Sequence, residues 1–371
     1  MIERFYIDNY RSFVNFELRP GHINLFLGDN GTGKSTVLEL LAGIGDLLAQ
    51  RRNLADVFPA SSRTRWQTLG RQTVELDWRS DYGLYRYELA VLHGAEPKKV
   101  TIDKELLFLD GQPLYAFEDR RVRIYDDEHE PGASFELNPE LSYLAMAESR
   151  GANTKVMAFK AAVSHQLFMA LEPQQLDSEA RGESSRPQAD GRDFVAWYRS
   201  VTQERSEVLA DLFADLRERM PGFRPLRLDA TGSETRRLVA VFEVSGSSYE
   251  LAFDELSTGQ RALVVFYVVL HAATDADRVL LLDEPDNFLA VSEIQPWWIA
   301  TLDRVEAGGG QLFAISHHPE SMNYLGNRWS TWWFEREESG PIRARPLEIR
   351  SEEDGMTMAE LVALGWVGGE G

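Results

Sequence analysis

Gly28-Asp29-Asn30-Gly31-Thr32-Gly33-Lys34-Ser35 fits the pattern G-x-x-x-x-G-K-[ST], and its flanks decide what the pattern means. Ahead of it, Ile23-Asn24-Leu25-Phe26-Leu27 is a short apolar run with the character of a buried strand. Behind it, residues 35–50 place Val37, Leu38, Leu41, Ile44 and Leu48 at helical spacing. A strand, a glycine turn and a helix start aim successive backbone N–H groups at one point, where the helix dipole also favours an anion. The stretch from Gly28 to Thr36 is therefore expected to cradle the phosphates of a nucleotide. Lys34 would reach the β- and γ-phosphates and Ser35 would hold Mg²⁺.

The rest of the composition sets bounds. With 371 residues the chain has room for one large domain with an insertion, or for two modest ones. Hydrophobic residues at 43% and charged residues at 26% are those of an ordinary globular protein. No apolar run reaches ~18 residues, so no membrane span is expected, and the start MIERFYIDNY lacks the apolar core of a signal peptide. Cysteine is absent, which excludes disulfides, a catalytic thiol and a cysteine zinc site and agrees with a cytoplasmic address. The net charge of −20 weighs against a broad nucleic-acid face, although a local basic patch can exist within an acidic total.

Around the central stretch the chain reads as strands, then helices, then strands and helices again. Residues 2–8 and 13–18 form two strands about the turn Asn9-Tyr10-Arg11-Ser12. Residues 73–78, 84–91, 106–109 and 122–125 form a β-rich block, with Asp110-Gly111 as a hairpin turn. The acidic run Asp126-Asp127-Glu128 is expected in a solvated loop. From about Pro139 helices are expected, one around Leu141, Leu144 and Met146 and one over residues 156–171. Residues 177–191 are expected to be a mobile loop. Residues 192–220 read as one long helix or two, with Phe194, Trp197, Val201, Val208, Leu212 and Leu216 as a buried stripe. Residues 237–244 and 249–253 form a hairpin over Ser245-Gly246. There is no internal repeat and no sustained heptad pattern.

A second set of polar residues falls at the ends of apolar elements. Leu256-Ser257-Thr258-Gly259-Gln260 opens an apolar helix over residues 261–273, with Ser257 as its natural N-cap and its free N–H groups as a second anion site. Val279-Leu280-Leu281-Leu282-Asp283-Glu284-Pro285 is a buried parallel strand that ends in two carboxylates. Asp283 would bind Mg²⁺ directly or through water, and Glu284 would act as general base on an attacking water. After a helix over residues 294–305 and the turn Gly308-Gly309-Gly310, the strand from Gln311 to Ile315 runs into Ser316 and His317. His317 is expected at the same sheet edge as Asp283, where it can contact the γ-phosphate or the attacking water; His318 is its neighbour.

The order phosphate loop, LSTGQ, LLLDEP, DNFL, ISHHPE resembles the ATP-binding-cassette (ABC) ATPase heads of the SMC/RecF type. More closely, it resembles compact bacterial AAA-family ATPases related to the overcoming-lysogenisation-defect ATPases, many of which serve phage-defence or toxin–antitoxin systems. The resemblance spans nearly the whole chain, including the Asn-Tyr-Arg-Ser-Phe start and the Met-Pro-Gly turn. It implies an α/β fold: an ABC-type P-loop head with a mixed sheet, an antiparallel β-subdomain, a helical insertion and no coiled-coil arm. The implied division is an N-terminal lobe over 1–138, an insertion over 139–222, a C-terminal lobe over 223–345 and a tail over 346–371.

Residue by residue, the resemblance implies that Gly28, Asp29, Asn30, Gly31, Thr32, Gly33, Lys34, Ser35 and Thr36 surround the phosphates of ATP. Ser35 and Asp283 would hold Mg²⁺, while Glu284, His317 and Lys34 would carry catalysis. Ser257, Gly259 and Gln260 match the signature that binds the γ-phosphate of ATP held by a second copy of the chain. Asp286 and Asn287 would lie at that dimer interface, and Arg11 near the nucleotide. The sequence departs from the pattern in three places. Asp286-Asn287-Phe288-Leu289 is not followed by the histidine–proline pair common in relatives. None of Gln50, Gln166 or Gln174 stands out as the lobe-linking Mg²⁺ ligand. No nuclease or topoisomerase-primase domain follows the head, the residues after Phe334 sufficing for a strand and a short helix. The implied function is an ATP-gated homodimeric switch acting on a separate effector, such as a nuclease or toxin, without a membrane. A RecF-like DNA-binding ATPase is the alternative, and a transporter subunit fits the large insertions least.

Overall fold

The computed structural model describes residues 1–94, 99–274, 278–326, 329–336, 338, 340–347 and 356–364. Much of the tail expected over 346–371 lies outside the described residues; its described part holds the short helix Met358–Ala363. The chain divides into two compact units, Met1–Gln166 with Leu325–Gly371, and Leu167–Tyr324.

In the first unit an eight-stranded antiparallel sheet runs in the spatial order Phe16–Leu18, Ile2–Asp8, Arg71–Ser80, Gly83–His93, Val100–Leu109, Gln112–Glu118, Arg121–Tyr125, Pro131–Glu136. Alternation builds one face of it: Val74, Leu76 and Trp78 are buried on one strand, and Tyr85, Tyr87 and Leu89 on the next. The expected hairpin at Asp110-Gly111 has positive φ at both turn residues, 47° and 80°, which suits the right-handed twist of its strands. The strands over 100–105, 112–118 and 131–136 were not anticipated from sequence. Glu105 points into the core at zero exposure, where the hydroxyls of Tyr87, Tyr115 and Ser142 all donate to its carboxylate. Burial raises its pKa against the opposing effect of those hydrogen bonds.

The same unit holds the Ile23–Gly28 strand, paired in parallel with Ser330–Arg336, which in turn pairs antiparallel with Ile342–Pro346. The Lys34–Leu48 helix that follows is buried at twelve of its fifteen positions, so it is a central helix and not an amphipathic surface one. Phe26 and Phe334 pack 4.8 Å apart between centroids and Phe13 and Phe16 4.6 Å apart, which fills the space beneath the glycine turn.

In the second unit three parallel strands, Leu167–Met169, Val279–Asp283 and Gln311–Ile315, pair in register Met169 to Leu282 and Asp283 to Ile315. Leu167–Met169 corrects the helix expected over 156–171, which covers only Thr154–Ser164. A run buried on both faces carries no alternation, and three apolar residues after a helix cannot be told from its continuation by periodicity. Residues 192–220 form two helices, Phe194–Glu204 and Leu209–Arg219, separated by the 3₁₀ turn Ser206–Val208. The stripe is buried as expected except at Val208, which is half-buried. Residues 177–191 take a defined path, because their backbone groups find partners: Glu179–Ala180 pairs with Arg237 and Arg236, and Ser184 N–H donates to Ala196 O at 3.1 Å.

Two consequences are testable. Gly28 has φ 136°, and a Cβ there would lie 2.1 Å from the Phe334 carbonyl oxygen across the parallel pair. Gly28→Ala should therefore cost about 2–4 kcal/mol by denaturant unfolding. His271 is buried, with Nε2 2.7 Å from Asp215 Oδ2 and Nδ1 3.1 Å from Arg304 Nη2. Burial lowers its pKa below the usual 6.5, Arg304 adds to the lowering, and Asp215 opposes it. A base depressed in the folded state stabilises fully above its unfolded pKa and loses that contribution as pH falls through the folded value. His271→Gln should flatten the acid limb of the stability profile between about pH 7 and about pH 5.

Candidate nucleotide site

The phosphate loop is a built cradle. Gly33 caps the Lys34–Leu48 helix with φ 85° and has no side chain to offer its first N–H groups, and the first turn carries no acidic residue. That end is a glycine-capped, positively polarised helix terminus. A Cβ at Gly33 would come within 2.7 Å of both Phe13 Cζ and Ile342 Cδ1, so the Asn-Tyr-Arg-Ser-Phe start packs directly beneath the loop. Lys34 is buried and its Nζ donates to the carbonyls of Gly28 and Asp29 at 2.6 and 2.9 Å, while Thr32 Oγ1 donates to Asp29 O at 2.7 Å. The lysine thus spans the mouth of the loop, and Asp29, Asn30 and Gly31 form its exposed rim.

Arg11 stands beside this cradle. Its Nη1 donates to Thr36 Oγ1 at 2.6 Å and its Nη2 pairs with Glu39 at 2.7 Å, so a cation is held one residue beyond Ser35. The turn that carries it places Asn9 and Arg11 in the left-handed region, at φ 57° and 51°. Asn9 pays for that geometry with bonds: its amide donates to Leu69 O and Arg71 O, and its Oδ1 accepts from Thr64 N–H.

In the second unit, Asp283 ends its strand opposite Ile315, and the ladder continues one step as Glu284 N–H donates to Ile315 O at 3.0 Å. Glu284 has φ 48°, an uncommon and strained conformation for a residue other than glycine. The turn projects its carboxylate sideways, where Oε1 lies 3.6 Å from His317 Nε2 and Oε2 accepts from the Asn287 amide. Glu284 and His317 are both about two-fifths exposed, at 36% and 41%, so an incoming water can reach them. Ser257 caps the Thr258–Ala273 helix reciprocally with Gln260: Ser257 Oγ accepts from Gln260 N–H at 3.2 Å and Gln260 Oε1 from Ser257 N–H at 3.0 Å. A Cβ on Gly259 would lie 3.1 Å from Phe288 O, so the signature turn abuts the loop after Glu284.

The structure thus gathers Arg11 with Gly28–Thr36 in the first unit, and Asp283, Glu284 and His317 with Ser257, Gly259 and Gln260 in the second. Glu39 and Ser316 were not singled out from sequence. Glu39 carried no signal beyond its place one helical turn past Ser35, whereas Ser316 is the first polar residue after an apolar strand. The first unit offers a glycine-capped helix terminus with a buried lysine, which suits an anionic phosphate, and the second offers a strand-end carboxylate at Asp283. Among the described residues no group of three or more His, Cys, Asp or Glu could hold a metal by itself. Among the described residues no helix is long and apolar enough to cross a membrane.

Comparison with known proteins bears on the fold and the family. A solved SMC head bound to the C-winged helix domain of ScpA is similar at TM-score 0.54 and 12% identity, over 95% of this chain and 98% of that one. The SMC head domain from Thermotoga maritima matches at TM-score 0.45 and 12% identity, over 94% of this chain and 99% of that one. The likeness to the ScpA-bound head gives the fold, the α/β fold of an SMC head. No curated protein matches the sequence. Residues 23–323 match the family model AAA_21, described as "AAA domain, putative AbiEii toxin, Type IV TA system". That match takes in most of the chain, from the strand before the phosphate loop to the helix after His317, and the protein belongs to this family of AAA-type ATPases.

Proposed function

We propose that the protein is an ATP-gated switch: two copies close on two ATP molecules, and hydrolysis reopens them. The observation that carries this reading is the Glu284–His317 pair, 3.6 Å apart at the ends of two adjacent parallel strands and next to Asp283. Lys34 and the N–H groups of the loop bind the phosphates, and Arg11 adds a cation near them. Ser35 and Asp283 would hold Mg²⁺, which would supply neutralisation of the phosphate charge. Glu284 takes a proton from water as its oxygen attacks the γ-phosphorus and the bond to the β-phosphate oxygen breaks, leaving ADP and phosphate. His317 orients the water or the γ-phosphate. This chemistry needs positioning and electrostatics more than covalent participation.

Dimerisation draws support from the surface around Ser257. Ser257 and Asn287 are exposed, and Phe288 and Val291 beside them are 36% and 38% exposed. A helix terminus flanked by exposed apolar side chains suits the γ-phosphate side of a second copy. Control of a separate effector, a nuclease or toxin in anti-phage defence, draws on the toxin–antitoxin description of the family. The SMC head solved with a separate protein domain is a further precedent.

A second reading, a RecF-like ATPase that binds DNA directly, rests on one surface. Trp66 is 46% exposed with the Arg336 guanidinium 5.5 Å over its ring, and Arg63 and Arg65 are exposed beside it. DNA-stimulated turnover that weakens steeply with salt would favour this reading.

Glu284→Gln should bind ATP and lower turnover at least about 100-fold. In light scattering with ATP and Mg²⁺ the variant should have twice the monomer mass, returning to the monomer when Mg²⁺ is chelated. A monomer under saturating ATP and Mg²⁺ would contradict the gating model.

A further inference from the structure

Asp286 is a buried carboxylate at 2% exposure, in the loop after Glu284. Its Oδ2 accepts the hydroxyl of Ser316, which is itself fully buried, and its Oδ1 accepts no hydrogen bond among the described residues. A half-satisfied buried carboxylate is costly, and replacement by an apolar residue would remove that cost. The carboxyl group lies where the loop after Glu284 meets the strand end before His317.

The Ser316 hydroxyl is used in both directions: it donates to Asp286 and its oxygen accepts from His318 N–H at 3.1 Å. Asp286 therefore fixes the rotamer of Ser316, and Ser316 fixes the backbone on both sides of His317. The same short loop is tied a second time, by Glu284 N–H to Ile315 O. Between these two ties sit the two groups that must meet, Glu284 Oε1 and His317 Nε2.

We infer that Asp286 is a positioning residue for His317, acting through the Ser316 hydroxyl to hold the histidine in register with Glu284. The inference rests on the reading of Glu284 and His317 as the hydrolytic pair. The effect of Asp286 passes through the Ser316 hydroxyl to the backbone of residues 316–318.

The test is a double-mutant cycle on steady-state ATP hydrolysis by the full chain. Asp286→Ala and Ser316→Ala should each lower kcat about ten- to hundredfold while KM for ATP stays within about twofold. In a His317→Ala background neither substitution should lower kcat further, because the group through which they act is gone. Asp286→Asn, whose amide oxygen can still accept from Ser316, should recover most of the loss. Losses that multiply with His317→Ala, a rise in KM without a fall in kcat, or unchanged turnover in Ser316→Ala would overturn the inference. Ser316→Ala removes one oxygen atom and keeps the test decisive if Asp286→Ala fails to fold. Hydrolysis that persists in both Glu284→Gln and His317→Ala would instead refute the hydrolytic pair. Loss in those two with wild-type rates in Asp286→Ala and Ser316→Ala would refute only the positioning role.

Discussion

The glycine-capped N-terminus of the Lys34–Leu48 helix is the constraint on which the first unit depends. A helix terminus leaves backbone N–H groups without partners, and proteins ordinarily satisfy them with a capping side chain. Here the capping position is Gly33 in a left-handed conformation, with no side chain to offer. The surroundings are built to hold that end in place. Phe13 and Ile342 press against Gly33, the Phe334 carbonyl lies against Gly28, and the helix behind is buried almost all round. The rigidity is spent on keeping a row of donors aimed outward, an arrangement that an anionic phosphate completes.

The second unit solves a different problem, the delivery of carboxylate and imidazole to one point. Parallel strands in register bring their ends level, so Asp283 and Ile315 are paired and the residues just beyond them are neighbours. Beyond the ends the chain no longer has ladder bonds to fix it. A strained Glu284, its bond to Ile315 O and the buried Asp286–Ser316 contact take over that task. The helix cap made by Ser257 and Gln260 is likewise local, and Gly259 lets the loop after Glu284 approach it. On the proposed reading, both sets of groups serve nucleotide bound between two copies.

Local chemistry made much of this legible in the sequence. The phosphate loop, Ser257 at a helix start and Asp283–Glu284 after four apolar residues each depend on a few neighbouring side chains and on one element's geometry. The misses depend on distant partners. Leu167–Met169 becomes a strand only because Leu280–Leu282 lies beside it. Residues 177–191 look mobile by composition and are fixed by bonds to residues such as Ala196 and Arg237. Glu105 lies in a stretch not anticipated as a strand, and three hydroxyls from separate segments, Tyr87, Tyr115 and Ser142, allow its burial. Asp286, expected by resemblance at the dimer interface, is buried against Ser316, thirty residues away.

The central claim is that each hydrolytic site is completed by a second copy of the chain. Subunit mixing tests it most directly. A Lys34→Ala protein lacks the phosphate lysine and keeps its signature turn; a Ser257→Arg protein keeps the lysine and blocks the signature. Each alone should be inactive, and an equimolar mixture should regain about a quarter of wild-type ATP turnover. Random pairing makes half the dimers mixed, and each mixed dimer has one of its two sites intact. A mixture no more active than its separate components would contradict the account.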